Sequence, residues 1–175
     1  GGPQVPAGRI MCFNKELVVG YGREKRVAGA VGHRGNSFHL WAMDKATTQA
    51  GQAEKTTPQE KRRGKGKNAK PMNYLWSQKI DMVTRAMVQT SYRLVLAGFP
   101  DLAMQSKDAL AFDNADEVKA AYAGAKGGII RFIRTDDGTQ TGEIKLDTRP
   151  VFDGMSAAHG KLFVALTDGR VLCLE

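Results

Sequence analysis

The chain has 175 residues, 42% of them hydrophobic, which suffices for one ordinary core and makes a single domain the default. Its formal charge of +8 is local, because Lys55, Lys61, Arg62, Arg63, Lys65, Lys67 and Lys70 face only Glu60 in one stretch, so the rest of the chain is nearly balanced and is not a basic body. Two cysteines make no disulfide framework, and no apolar run approaches the roughly 18 residues of a membrane-spanning helix.

Residues 1–8 are rich in Gly and Pro and read as a connector; the chain begins Gly1-Gly2-Pro3 without a methionine and reads as a segment of a longer protein. Residues 9–13 and 16–21 predict a first hairpin, and after a polar, Gly-punctuated loop the run Ser37 to Met43 resumes as a strand. From Thr48 to Pro71 the apolar residues nearly vanish, which predicts a mobile loop. An outer strand follows over 73–80, and a second hairpin over 84–89 and 92–98. The stretch 99–127 carries one helix: Asn114 is placed to cap it, Asp116 and Glu117 occupy the first turn where the helix dipole favours acids, and Gly124 ends it. Val118, Ala121 and Tyr122 form its apolar stripe. Strands are expected over 129–134 and 143–147, on either side of a long turn at 136–142.

The last 26 residues predict a three-stranded meander over 151–158, 161–166 and 170–174, with turns at His159-Gly160 and Thr167-Asp168-Gly169, dipeptides that supply the positive φ of tight turns. Its middle run, Leu162-Phe163-Val164-Ala165-Leu166, does not alternate with polar residues, so a cover on both faces is expected. Met87 to Ala97 aligns without a gap on Met155 to Ala165, and Cys12 to Gly20 is a third copy. The aligned leucines, Leu17, Leu94 and Leu162, lie 77 and 68 residues apart. Removing the insertions at 45–72 and 99–127 brings both intervals near the roughly 40–50 residues of a propeller blade. The expected fold is therefore all-β, a partial β-propeller of antiparallel four-stranded blades with one short helical insertion and one disordered basic loop. It is read as a single domain: a blade over 9–80 with the basic insertion 48–71, a blade over 84–147 with the helical insertion 99–127, and an incomplete blade over 150–175. Three blades fall short of the four to eight that close a ring, which predicts an open arc with exposed end faces. Trp41 and Trp76 are expected on the third and fourth strands of one blade, sharing a packing environment, and Cys12 and Cys173 as buried thiols.

These residues resemble the PQQ-like β-propeller repeat, the blade of quinoprotein alcohol dehydrogenases and of BamB-type scaffold lipoproteins. The matches are Leu162-Phe163-Val164-Ala165, Asp168-Gly169 and Val171-Leu172-Cys173-Leu174; Leu40-Trp41-Ala42-Met43-Asp44 with Ala46-Thr47; Tyr74-Leu75-Trp76; and Asp136-Asp137-Gly138 to Thr141-Gly142. The pattern departs at Ile144, which stands where the family has an outer-strand Trp, and at Ala46-Thr47-Thr48, which lacks the glycine. The resemblance implies a periplasmic or secreted protein of the cell envelope. It also brings to mind an enzyme with PQQ and Ca²⁺ on the propeller axis, although many propellers of this family bind no quinone.

Such a site needs hard oxygen ligands and a carboxylate base, and the inner-strand candidates are only Asp153 and Arg85, with Asp153-Gly154 read as a bend beside the channel. The histidines His33, His39 and His159 are scattered, without metal spacing. Lys61, Arg62, Arg63, Lys65 and Lys67 offer an electrostatic contact to an anionic partner, but no aromatic residue is interleaved and a nucleic-acid partner is not expected. The expected function is a non-catalytic propeller segment that acts as a scaffold or binding surface, with a protein partner or further blades and no cofactor. The alternative is a fragment of a PQQ-dependent quinoprotein dehydrogenase whose catalytic residues lie outside this chain.

Overall fold

β-branched and aliphatic runs punctuated by Gly and Asp turns resolve into eleven strands among the residues that the computed structural model describes: 7–23, 37–46, 74–103 and 112–175. They form three antiparallel sheets, each ordered as in the sequence. The first holds β1 (Ala7–Phe13), β2 (Leu17–Arg23), β3 (Phe38–Asp44) and β4 (Trp76–Ile80). The second holds β5 (Met82–Gln89), β6 (Arg93–Pro100), β7 (Gly128–Arg134) and β8 (Gln140–Leu146). The third holds β9 (Pro150–Ala158), β10 (Lys161–Leu166) and β11 (Val171–Leu174). The all-β class holds, with the helix α1 (Ala115–Ala123) in the connection between β6 and β7. The loop expected over 48–71, with Lys61, Arg62, Arg63, Lys65 and Lys67, lies outside the described residues, as does His33.

Turn chemistry explains the third sheet. His159 and Gly160 both adopt positive φ, 52° and 75°, between the paired Ala158 and Lys161, the geometry whose twist suits a two-residue hairpin. At the next turn the Asp168 carboxylate accepts from the Arg170 backbone N–H and, at 2.7 Å, from its Nε, while Gly169 takes φ 90°. The Arg170 hydrogen bond holds the Asp168 carboxyl down to about 2. The same guanidinium reaches Asp147 at 2.8 Å and so ties the third sheet to the end of the second.

Two apolar layers hold the sheets face to face. Val19, Tyr21 and Leu40 of the first meet Met87, Leu94 and Leu96 of the second; Val95, Ala97 and Ile130 of the second meet Leu162, Val164 and Leu166 of the third. Each large aliphatic side chain buried in this way contributes about 1.5–3 kcal/mol. The first strand of the second sheet, β5, also lies against both β1 and β9, so the three sheets share one inner edge.

Several expectations need correction. Val18, not Leu17, is the counterpart of Leu94 and Leu162, because the closing pairs Asn14 with Leu17 and Thr90 with Arg93 are equivalent and register then runs Phe13 to Val18 and Gln89 to Leu94. A one-residue slip reverses the face, and a gapless alignment does not contain the closing hydrogen bond that reveals it. Asn114 does not cap α1 with its side chain; its amide donates instead to the Leu102 carbonyl at 3.3 Å. Gly124, at φ 98°, does end the helix, and Val118 and Ala121 are its buried residues.

Trp41 and Trp76 occupy β3 and β4, but on opposite faces, since Trp41 pairs with Ser77 and Trp76 with Ala42. Trp41 lies over Gly20 and beside Tyr74. Trp76 reaches the second sheet: its Nε1 donates to the Thr135 carbonyl at 2.8 Å, and its ring covers Gly138, where a Cβ would come within 2.8 Å. Because the Trp76 ring is half-buried, Trp76→Ala is expected to cost about 2 kcal/mol, below the roughly 3–5 kcal/mol of a fully buried ring. Urea melts measure this, and a loss near zero would contradict the inter-sheet role.

Candidate functional site

The shared inner edge is where the repeat places its least regular backbone. Register breaks between Gly8 and Ile10 in β1, and between Thr84 and Ala86 in β5. In β9 it breaks between Pro150 and Met155 opposite Leu166 and Val164. The equivalent residues at these bulges are Arg9, Arg85 and Asp153. Bulges add local twist and re-aim a side chain. Asp153 sits there with φ 56°, exposed, and serves as the bend its sequence suggests.

Tyr21 anchors this edge. Its buried hydroxyl donates to the Met82 carbonyl and accepts from the Thr84 N–H, both at 3.0 Å, and its ring stacks on Phe38 at 5.0 Å. Burial raises its pKa strongly, with Asp101 also acting to raise it and Arg9 to lower it. Arg149, just before β9, donates to the Tyr122 carbonyl and packs its stem beside Gly124, a cation at the C-terminus of α1 where the dipole favours one. Arg85 follows Thr84. Burial first, then the positive fields of Arg149 and Arg9, lower its pKa.

Cys12 is half-buried; its Sγ contacts the Met87 carbonyl at 3.3 Å and burial raises its pKa. Cys173 corrects the expectation of two buried thiols: it is exposed, because among the described residues no sheet lies over its side of β11. The same correction applies to the middle run of the third sheet. Leu162, Val164 and Leu166 are buried while Phe163 and Ala165 are only half-buried, so cover on both faces fails here. It holds in the second sheet, where β6 is buried from Leu94 through Phe99.

The open face of the third sheet carries the counterparts of a covered one. By register, Phe163, Ala165, Val171 and Cys173 stand where the second sheet has Val95, Ala97, Ile130 and Phe132, all packed against the third sheet. Val171 is 65% exposed. A depression of about 290 Å³ on this face is lined by Asp153, Gly154, Phe163 and Val171. A second groove, of about 380 Å³, lies between the second and third sheets, walled by Val95, Phe132, Leu162 and Leu174 and lined also by His159 and the Lys161–Glu175 ion pair. The exposed His159 serves the turn, while the buried His39 Nε2 contacts the Ser77 hydroxyl. Among the described residues no three of His, Cys, Asp and Glu gather as a metal site.

One set of ion pairs escaped the sequence. Arg131, buried between the first two sheets, pairs with Asp81 and, at 2.9 Å, with Glu143. Its hydrogen bond lowers the Asp81 pKa. Asp81 lies in the link between the two sheets, 50 residues earlier, and no local pattern connects the two.

Compared with protein-family models the sequence matches none, and no curated protein sequence matches it.

Proposed function

We propose that the chain is a segment of a PQQ-like β-propeller, an open arc of three blades that acts as a non-catalytic scaffold and presents a surface to a protein partner or to further blades. The observation that carries this reading is the register equivalence of the third sheet's open face with the covered face of the second. A face so patterned is apolar where another sheet would pack, and exposed apolar patches of this kind mark association surfaces. The inner edge shared by β1, β5 and β9 and the docking of Trp76 on Gly138 of the next sheet support the blade reading. The cell-envelope setting, periplasmic or secreted, rests on the family resemblance.

Titration with PQQ and Ca²⁺, followed by quinone absorbance and reduction of an artificial electron acceptor, tests the non-catalytic part. The expected result is no acceptor reduction with alcohol or sugar substrates. Saturable PQQ binding with acceptor reduction would overturn it in favour of a quinoprotein dehydrogenase.

A further inference from the structure

Arg9 and Arg85 occupy the same bulge position on adjacent inner strands, and Arg149 leads directly into the third inner strand, which also lies against β5. Register thus sets Arg9 and Arg85 on neighbouring strands of the shared edge with Arg149 just before the third, close enough that the positive fields of Arg149 and Arg9 both act on Arg85. Bringing like charges together is unfavourable unless an opposite charge is supplied. Among the described residues neither Arg9 nor Arg85 has an ion pair or hydrogen bond, and the Nε atoms of Arg85 and Arg149 are both buried without a partner. Of the carboxylates near this edge, Asp101 acts on Tyr21 and accepts from the Ala103 N–H, and Asp153 occupies the equivalent bulge of β9, where it is exposed. By contrast Arg131, Arg134 and Arg170 each hold carboxylates. Among the described residues none of these three arginines holds a carboxylate, and Arg149 has only the Tyr122 carbonyl as an acceptor.

We propose that Arg9, Arg85 and Arg149 form a binding site for a tetrahedral oxyanion, a phosphate group carrying two charges. Guanidinium donors match phosphate oxygens in geometry, and charge-assisted bonds of this kind are about twice as strong as neutral ones. A dianion also answers three cations better than a single carboxylate does. This inference rests on strand register and on the unfilled donors, and stands whether or not the arc belongs to a propeller.

The test is calorimetric titration of the full chain with inorganic phosphate at constant ionic strength, with acetate and chloride as comparison anions. Wild type should bind phosphate saturably, and Arg85→Gln should weaken binding at least about tenfold, as expected for loss of one charge-assisted donor. Arg9→Gln, at an exposed position where folding is not at stake, should weaken it as well. Neutralising Lys61, Arg62 and Arg63 should leave the affinity unchanged. Equal binding by wild type and both arginine variants, loss of binding on neutralising the 61–63 cluster, a preference for acetate, or no binding by wild type would each overturn the proposal.

Discussion

Tyr21→Ala is expected to lower stability by about 4–5 kcal/mol, near the top of the range for deleting a buried aromatic. The ring is fully buried and stacked on Phe38, and its hydroxyl satisfies two backbone groups of β5, the Met82 carbonyl and the Thr84 N–H. Tyr21→Phe keeps the ring and removes only the bridge, so it should cost about 1–2 kcal/mol for the two groups left unpaired. The pair of variants separates packing from hydrogen bonding in the joint between the first and second sheets. A pH signature accompanies them. Burial raises the folded-state pKa of Tyr21, so folded and unfolded chains both keep the proton below about pH 10 and its contribution is constant there. Above that pH the unfolded chain releases the proton first and stability falls, by about 1.4 kcal/mol per pH unit for this one group. Urea melts between pH 8 and 11 should show a shallower decline in Tyr21→Phe than in wild type; identical slopes would contradict the buried hydroxyl.

Gly98→Ala is the second large effect. A Cβ at Gly98 would lie 2.1 Å from the Val83 carbonyl oxygen and 2.9 Å from the Met82 methyl. The methionine could yield, but the carbonyl belongs to the backbone of a paired strand and could move only by breaking the β5–β6 ladder. The expected loss is about 3 kcal/mol or more, the upper end of what overpacking costs, in a protein whose total stability is of order 5–15 kcal/mol. Equilibrium denaturation measures it directly, and a change within about 0.5 kcal/mol, the ordinary range of a harmless surface substitution, would place the two strands further apart than described.

What the sequence disclosed was local. The hairpin at His159-Gly160 and the end of α1 at Gly124 were legible because each rests on a residue that tolerates positive φ. The repeat of Met87 to Ala97 in Met155 to Ala165 was legible because equivalent strands need equivalent apolar patterns. What stayed hidden depends on pairing across sheets. The faces of Trp41 and Trp76 follow from register between β3 and β4, which neither strand encodes alone. The exposure of Cys173 and the incomplete burial of Phe163 follow from which sheets cover them, although Leu172 and Val164 beside them read the same way. Arg85 was legible as an inner-strand residue, yet the bulge that makes it equivalent to Arg9 appears only when β5 is aligned with β6.

The open face of the third sheet is equivalent by register to the covered face of the second, and on the proposed reading it receives another sheet. Light scattering on the wild type and on the double variant Phe163→Lys, Val171→Lys tests it most directly, since both substitutions lie on that face and away from the packed layers. The wild type should self-associate with rising concentration, and the double variant should be a monodisperse monomer with an unchanged circular dichroism spectrum. A wild type that is itself a monodisperse, cooperatively melting monomer would contradict it.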